Sequence, residues 1–142
     1  MADGIAFPNG MVVTADGSTM IVAESYASRL TAFDIDADGG LSNRRVWADL
    51  AGGVPDGIAL DAEDAVWYAD VPNRRCVRVA EGGEVLAAVE LDRGCFACAL
   101  GGPNGRTLFL VAREWRGVDA TTEERTGQVL MVDAPAPRAG RP

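Results

Sequence analysis

Apolar residues along this chain fall in short alternating or continuous runs, broken by Gly, Asp, Asn and Pro, with almost no helical spacing. The pattern predicts strands at Gly10–Thr14 and Thr19–Glu24 around the turn Ala15-Asp16-Gly17. Leu30–Asp36 and Arg44–Asp49 follow, joined at Asp38-Gly39-Gly40. A second set repeats the plan: Gly57–Asp61, Ala65–Asp70, Cys76–Ala80 and Glu84–Leu91. A third begins with Cys95–Leu100 and Thr107–Ala112, crosses a polar stretch from Glu114 to Thr126, and adds Gln128–Asp133. The expected organisation is a partial β-propeller over residues 1–133 and a flexible Pro/Ala/Arg tail over 134–142.

The repeat has a marker. Pro8-Asn9-Gly10 opens the first set and Pro55-Asp56-Gly57 opens the second. Their spacing lies in the range of roughly 40–50 residues typical of four-stranded propeller blades. Thr19–Ala23, Ala65–Ala69 and Thr107–Val111 occupy matching places, so the fold class is all-β, with about three blades of four antiparallel strands. That is about half of an ordinary propeller. The third set has one strand fewer, and its missing strand is expected from elsewhere in the ring.

Composition narrows the chemistry. The net charge of −8 disfavours nucleic acid and anionic membranes as partners. No basic, apolar leader opens the chain and no apolar run reaches the roughly 20 residues of a spanning helix, so a cytoplasmic location is expected. Three cysteines, Cys76, Cys95 and Cys98, read as small buried hydrophobes, although Cys95 and Cys98 have redox or zinc spacing. The chain has no histidine. Ser-His-Asp and Cys-His catalysis are therefore absent, and chemistry must run on carboxylates, amides, hydroxyls, Arg or a hard metal ion.

Asn9 and Asp56 are the candidate site. Equivalent starts of adjacent inner strands converge at the mouth of a propeller's channel, where an amide oxygen and a carboxylate suit a hard divalent cation. Pro-Asn-Gly and Pro-Asp-Gly are also ideal turn sequences, and a purely conformational role stays open. Glu24 and Asp70 end second strands on the same face, either as solvated strand ends or as a pocket rim. Asp34-Ile35-Asp36-Ala37-Asp38-Gly39 imitates an EF-hand opening, but Arg45 stands where its Glu is needed, leaving a hairpin turn. Trp47, Trp67 and Trp115 are expected to pack between blades.

Asn9-Gly10-Met11, Ala32–Asp36, Leu41–Arg45, Pro55–Glu63, Val66–Ala69 and Cys95–Cys98 through Gly102 together resemble the senescence marker protein/gluconolactonase family. The resemblance covers roughly Phe7 to Arg113 and implies the carboxy-terminal half of a six-bladed propeller of metal-dependent lactonases. Such enzymes hold a channel-mouth metal with a Glu, an Asn and an Asp that is also the base. The resemblance thus assigns Asn9 and Asp56 as metal ligands and Asp56 as the catalytic base. It implies Ca²⁺ as the first expectation, with Zn²⁺, Mg²⁺ or Mn²⁺ as alternatives, and a small lactone as substrate. The family's Glu ligand is expected upstream of Met1, so the chain reads as an incomplete lactonase. Self-association or pairing with missing blades would complete the ring. The other reading is a non-catalytic binding propeller or an inactive fragment.

Overall fold

The computed structural model describes residues 1–117 and 124–140. Among them, three antiparallel sheets account for all regular structure apart from one 3₁₀ turn, Ser25–Ala27. The first sheet contains β1 (Pro8–Val13), β2 (Thr19–Glu24), β3 (Arg29–Ile35) and β4 (Leu41–Asp49), paired in chain order. The second repeats that order with β5 (Pro55–Leu60), β6 (Val66–Asp70), β7 (Arg75–Val79) and β8 (Val85–Glu90). The third has β9 (Gly94–Gly101), β10 (Thr107–Arg113) and β11 (Gln128–Asp133).

Alternation decides how the sheets stack. On β6, Val66 and Tyr68 face the first sheet and join Ile21, Leu30, Trp47, Leu50 and Ile58 in one core. Trp67 and Ala69, on the opposite face of β6, join Cys76, Cys95, Cys98, Leu108 and Leu110 in the other. The second sheet is therefore covered on both sides, and each outer sheet on one. Met11 and Val13 are exposed on the first sheet, as are Val111, Val129 and Met131 on the third.

The inner strands touch through small residues. A Cβ on Gly10 would lie 2.6 Å from the Ile58 nitrogen and 2.7 Å from the Asp56 carbonyl oxygen. A Cβ on Gly57 would lie 2.8 Å from Ala97 Cα. The two glycines thus let β1, β5 and β9 approach side by side, which brings the first residues of those strands together at one end.

Two expectations need correcting. β1 and β5 start two residues earlier than the sequence pattern predicts, at Pro8 and Pro55, because proline is accommodated as the first residue of a strand. Asn9 and Asp56 consequently lie inside strands and not in turns before them. The segment after Asp133 does not fray over its described part. Ala134 and Ala136 are buried, Arg138 bridges to Asp61, and the Ala62 and Ala139 amides bond to the Pro137 and Leu60 carbonyls. Its apolar side chains and backbone donors find partners along the second and third sheets. The polar stretch expected over Glu114–Thr126 falls partly outside the described residues, as do residues 141 and 142.

Candidate functional site

Each inner strand carries a bulge at the same register. On β1, Pro8 pairs with Glu24 and Met11 with Val22, so Asn9 and Gly10 together oppose Ala23. On β5, Pro55 pairs with Asp70 and Ile58 with Tyr68, so Asp56 and Gly57 oppose Ala69. On β9 the irregularity falls at Phe96, the unpaired residue between the Cys95–Ala112 and Ala97–Val111 pairs. A bulge turns side chains out of the regular alternation and commonly re-aims them at a site. Here it presents Asn9 and Asp56 at the shared end of the strands. The third equivalent position is Phe96, whose side chain offers no oxygen donor.

Asn9 and Asp56 meet. The Asn9 amide lies close to the Asp56 carboxylate: burial raises the Asp56 pKa above its ordinary value, and the neighbouring Asn9 amide opposes that rise. Asn9 Nδ2 also lies 3.4 Å from Ser25 Oγ, and that hydroxyl donates to the Pro55 carbonyl at 2.6 Å. Ser25 was not signalled by the sequence, because its decisive partner is a backbone oxygen thirty residues away.

Glu24 and Asp70 sit at this end too, but they are neither solvated nor on a rim. Both are fully buried. Burial opposes ionisation of Glu24, yet Arg29 at 3.0 Å, the Ala6 amide at 2.7 Å and the Thr31 hydroxyl at 2.5 Å hold its pKa down at about 2. Asp70 accepts from Arg75 at 3.1 Å, from Asn73 at 2.8 Å and from the Val54 amide at 3.2 Å. The Glu24–Arg29 and Asp70–Arg75 pairs occupy matching places at the start of β3 and β7. They are internal fastenings of the hairpins.

The contrast with Asp56 is informative. Glu24, Asp61 and Asp70 are buried, and each is neutralised by an arginine: Arg29, Arg78 at 2.7 Å and Arg75. Among the described residues no arginine pairs with Asp56, which has only the neutral Asn9 amide. A half-buried carboxylate beside an amide and without a cationic side chain fits the oxygen-donor chemistry of a hard divalent ion. The fit is partial: no group of three His, Cys, Asp or Glu suited to a metal occurs among the described residues.

Other features lie around the pair. Phe7 and Tyr26 stack at 4.3 Å between ring centroids, both exposed, beside the start of β1 and the end of β2. Phe96 packs edge-on to Trp115, which borders a cleft of about 290 Å³ lined also by Arg74, Arg93 and Arg116. A larger cleft of about 450 Å³ opens at the far end of the strands, between Thr14, Trp47, Asp64 and Glu81, and contains neither Asn9 nor Asp56. The three cysteines are buried and free, and the neighbouring Cys95 and Cys98 thiols together with burial raise the Cys76 pKa.

Residues 1–114 match the family model described as SMP-30/Gluconolactonase/LRE-like region. This chain belongs to that family. Danio rerio regucalcin is 31% identical over 123 residues, a match covering 83% of this chain and 41% of the relative. L-arabinolactonase of Azospirillum brasilense is 27% identical over 121 residues, covering 84% of this chain and 40% of the relative. Among solved structures, the calcium-binding protein regucalcin of Agrobacterium tumefaciens superposes with a TM-score of 0.73 at 27% identity, over 94% of this chain and 47% of its own. The chain thus spans less than half the length of each. Its architecture is that of these propeller-type proteins.

Proposed function

We propose that this chain carries part of the active site of a divalent-cation-dependent hydrolase of sugar-type lactones. The observation that carries the reading is the contact between Asn9 and Asp56, delivered by matched bulges on adjacent sheets, with Asp56 half-buried and lacking an arginine. Family membership and the likeness to an arabinolactonase support it.

Asn9 and Asp56 would hold the cation, Ca²⁺ first among the candidates. When bound, the cation polarises the lactone carbonyl and stabilises the charge that develops on its oxygen. The Asp56 carboxylate accepts a proton from the attacking water, helped by a pKa raised through burial. The water oxygen adds to the carbonyl carbon, the ring C–O bond breaks, and the ring oxygen leaves as a hydroxyl, giving a hydroxy acid. The Asn9 amide beside Asp56 favours its ionised form.

Two oxygen donors leave a hard cation short of protein ligands. We assign the remaining donors to complementary blades that would cover the open flanks of the first and third sheets. Exposed Met11, Val13, Val129 and Met131 are the apolar surfaces those blades would bury. The test is calcium titration and lactone hydrolysis with the chain joined to, or mixed with, blades of a full-length relative. Cation-dependent turnover that Asp56→Ala abolishes supports the reading; turnover unaffected by chelation refutes it.

The lack of a third acidic or thiol ligand among the described residues favours a second reading, a propeller module that binds without catalysis. Under it, Asp56→Ala leaves ligand binding intact and no lactone is turned over in any assembly.

A further inference from the structure

We infer that Ser25 is the positioning residue that joins the two halves of the candidate site. The inference rests on the reading of Asn9 and Asp56 as the site. Ser25 is only 6% exposed and opens the 3₁₀ turn immediately after β2. It reaches both bulged strands at once. Its amide donates to the Phe7 carbonyl at 3.1 Å, fixing the entry to Pro8-Asn9. Its hydroxyl donates to the Pro55 carbonyl at 2.6 Å, fixing the peptide that leads into Asp56. The same oxygen accepts from Asn9 Nδ2 at 3.4 Å. One hydroxyl thereby sets the amide of one sheet against the carboxylate of the next.

The repeat itself argues that this is not a requirement of the fold. The second sheet turns the same corner after Asp70 with Val71, which is also buried and has no hydroxyl. The corner therefore folds without the hydroxyl where no pair has to be held. At the first corner the hydroxyl bridges to β5, the strand that carries Asp56. Small displacements of reacting groups are costly, with about a hundredfold in rate attached to a misplacement near 1 Å.

Ser25→Thr and Ser25→Val separate the hydroxyl from side-chain bulk, and Val71 shows that valine is accommodated at such a corner. The measurements are hydrogen exchange of the Asn9 carboxamide by NMR, Ca²⁺ binding, and kcat and KM for a lactone in the blade-completed protein. Ser25→Val is expected to speed Asn9 carboxamide exchange about tenfold and to weaken Ca²⁺ binding about tenfold, with kcat falling more than KM changes. Backbone exchange at Trp67 and Val77 is expected to stay at the wild-type rate, and Ser25→Thr to restore all values to within about threefold. Equal Asn9 exchange in wild type and Ser25→Val overturns the inference, as does a Ser25→Thr variant that behaves like Ser25→Val. The exchange measurement needs neither cation nor lactone. A wild type that binds no cation therefore defeats the functional reading while the exchange data still decide the role of Ser25.

Discussion

Gly10 and Gly57 occupy the same bulge position in consecutive sheets, and each lets the neighbouring inner strand pass within van der Waals distance of its Cα. A methyl group on Gly10 would meet Ile58 and Asp56 backbone at 2.6 and 2.7 Å, and one on Gly57 would meet Ala97 at 2.8 Å. The obstructing atoms are mostly backbone, which cannot swing aside. Gly10→Ala and Gly57→Ala should each lower unfolding free energy by about 1–3 kcal/mol in urea titrations, the usual range for overpacking. Gly127, with open space around it, serves as control, and Gly127→Ala should change stability by less than about 0.5 kcal/mol.

Glu24 should make the protein acid-sensitive in a defined window. Its carboxyl ionises near pH 2 in the folded chain against 4.5 for the free group. A depressed folded value gives stability that is complete above pH 4.5 and is lost as pH falls towards 2. The difference corresponds to about 3 kcal/mol. Glu24→Gln should be destabilised by an amount of that order at pH 7, and its unfolding free energy should converge with wild type near pH 2. Parallel stability curves across this window would rule out the assignment.

The segment after β11 should contribute to folding. Its described part provides two buried alanines and four backbone hydrogen bonds, from Ala134 to Arg106, Ala62 to Pro137, Arg138 to Gly105 and Ala139 to Leu60. Ending the chain at Asp133 should cost on the order of 2–5 kcal/mol, read as a lower urea midpoint. A truncated chain of wild-type stability would show that this docking is not needed.

Breaking the Asp61–Arg78 pair should be equally informative. Asp61 is fully buried, bonds Arg78 at 2.7 Å and accepts from the Glu63 and Ala65 amides. Asp61→Ala leaves the Arg78 charge buried with only the exposed Glu63 as partner, for an expected loss of about 3–5 kcal/mol. Differential scanning calorimetry measures it, and a loss below about 1 kcal/mol would contradict the structure.

Much of the architecture was legible because strand alternation and Gly/Asp turns are local signals. Thr19–Glu24 and Gln128–Asp133 begin and end where the pattern placed them. Features made by contacts between distant segments were not. Pro8 and Pro55 look like turn residues until a partner strand shows that each starts a ladder. Glu24 and Asp70 look like solvated ends because the arginines that bury them lie across a hairpin. The Ala/Pro content after Asp133 looks disordered because its docking surface belongs to the second and third sheets. The pairing of Asn9 with Asp56 was readable from the repeat, whereas Ser25, which ties them together, acts through a backbone carbonyl and leaves no sequence mark.

The central claim is that Asn9 and Asp56 form one half of a cation-dependent hydrolytic site. The most direct measurement is Ca²⁺-dependent hydrolysis of a sugar lactone by the chain completed with blades of a full-length relative, comparing wild type with Asp56→Asn. The account predicts turnover that chelation removes, Ca²⁺ restores and Asp56→Asn reduces by at least about a thousandfold. Equal hydrolysis by the wild type and Asp56→Asn, with or without chelator, would contradict it.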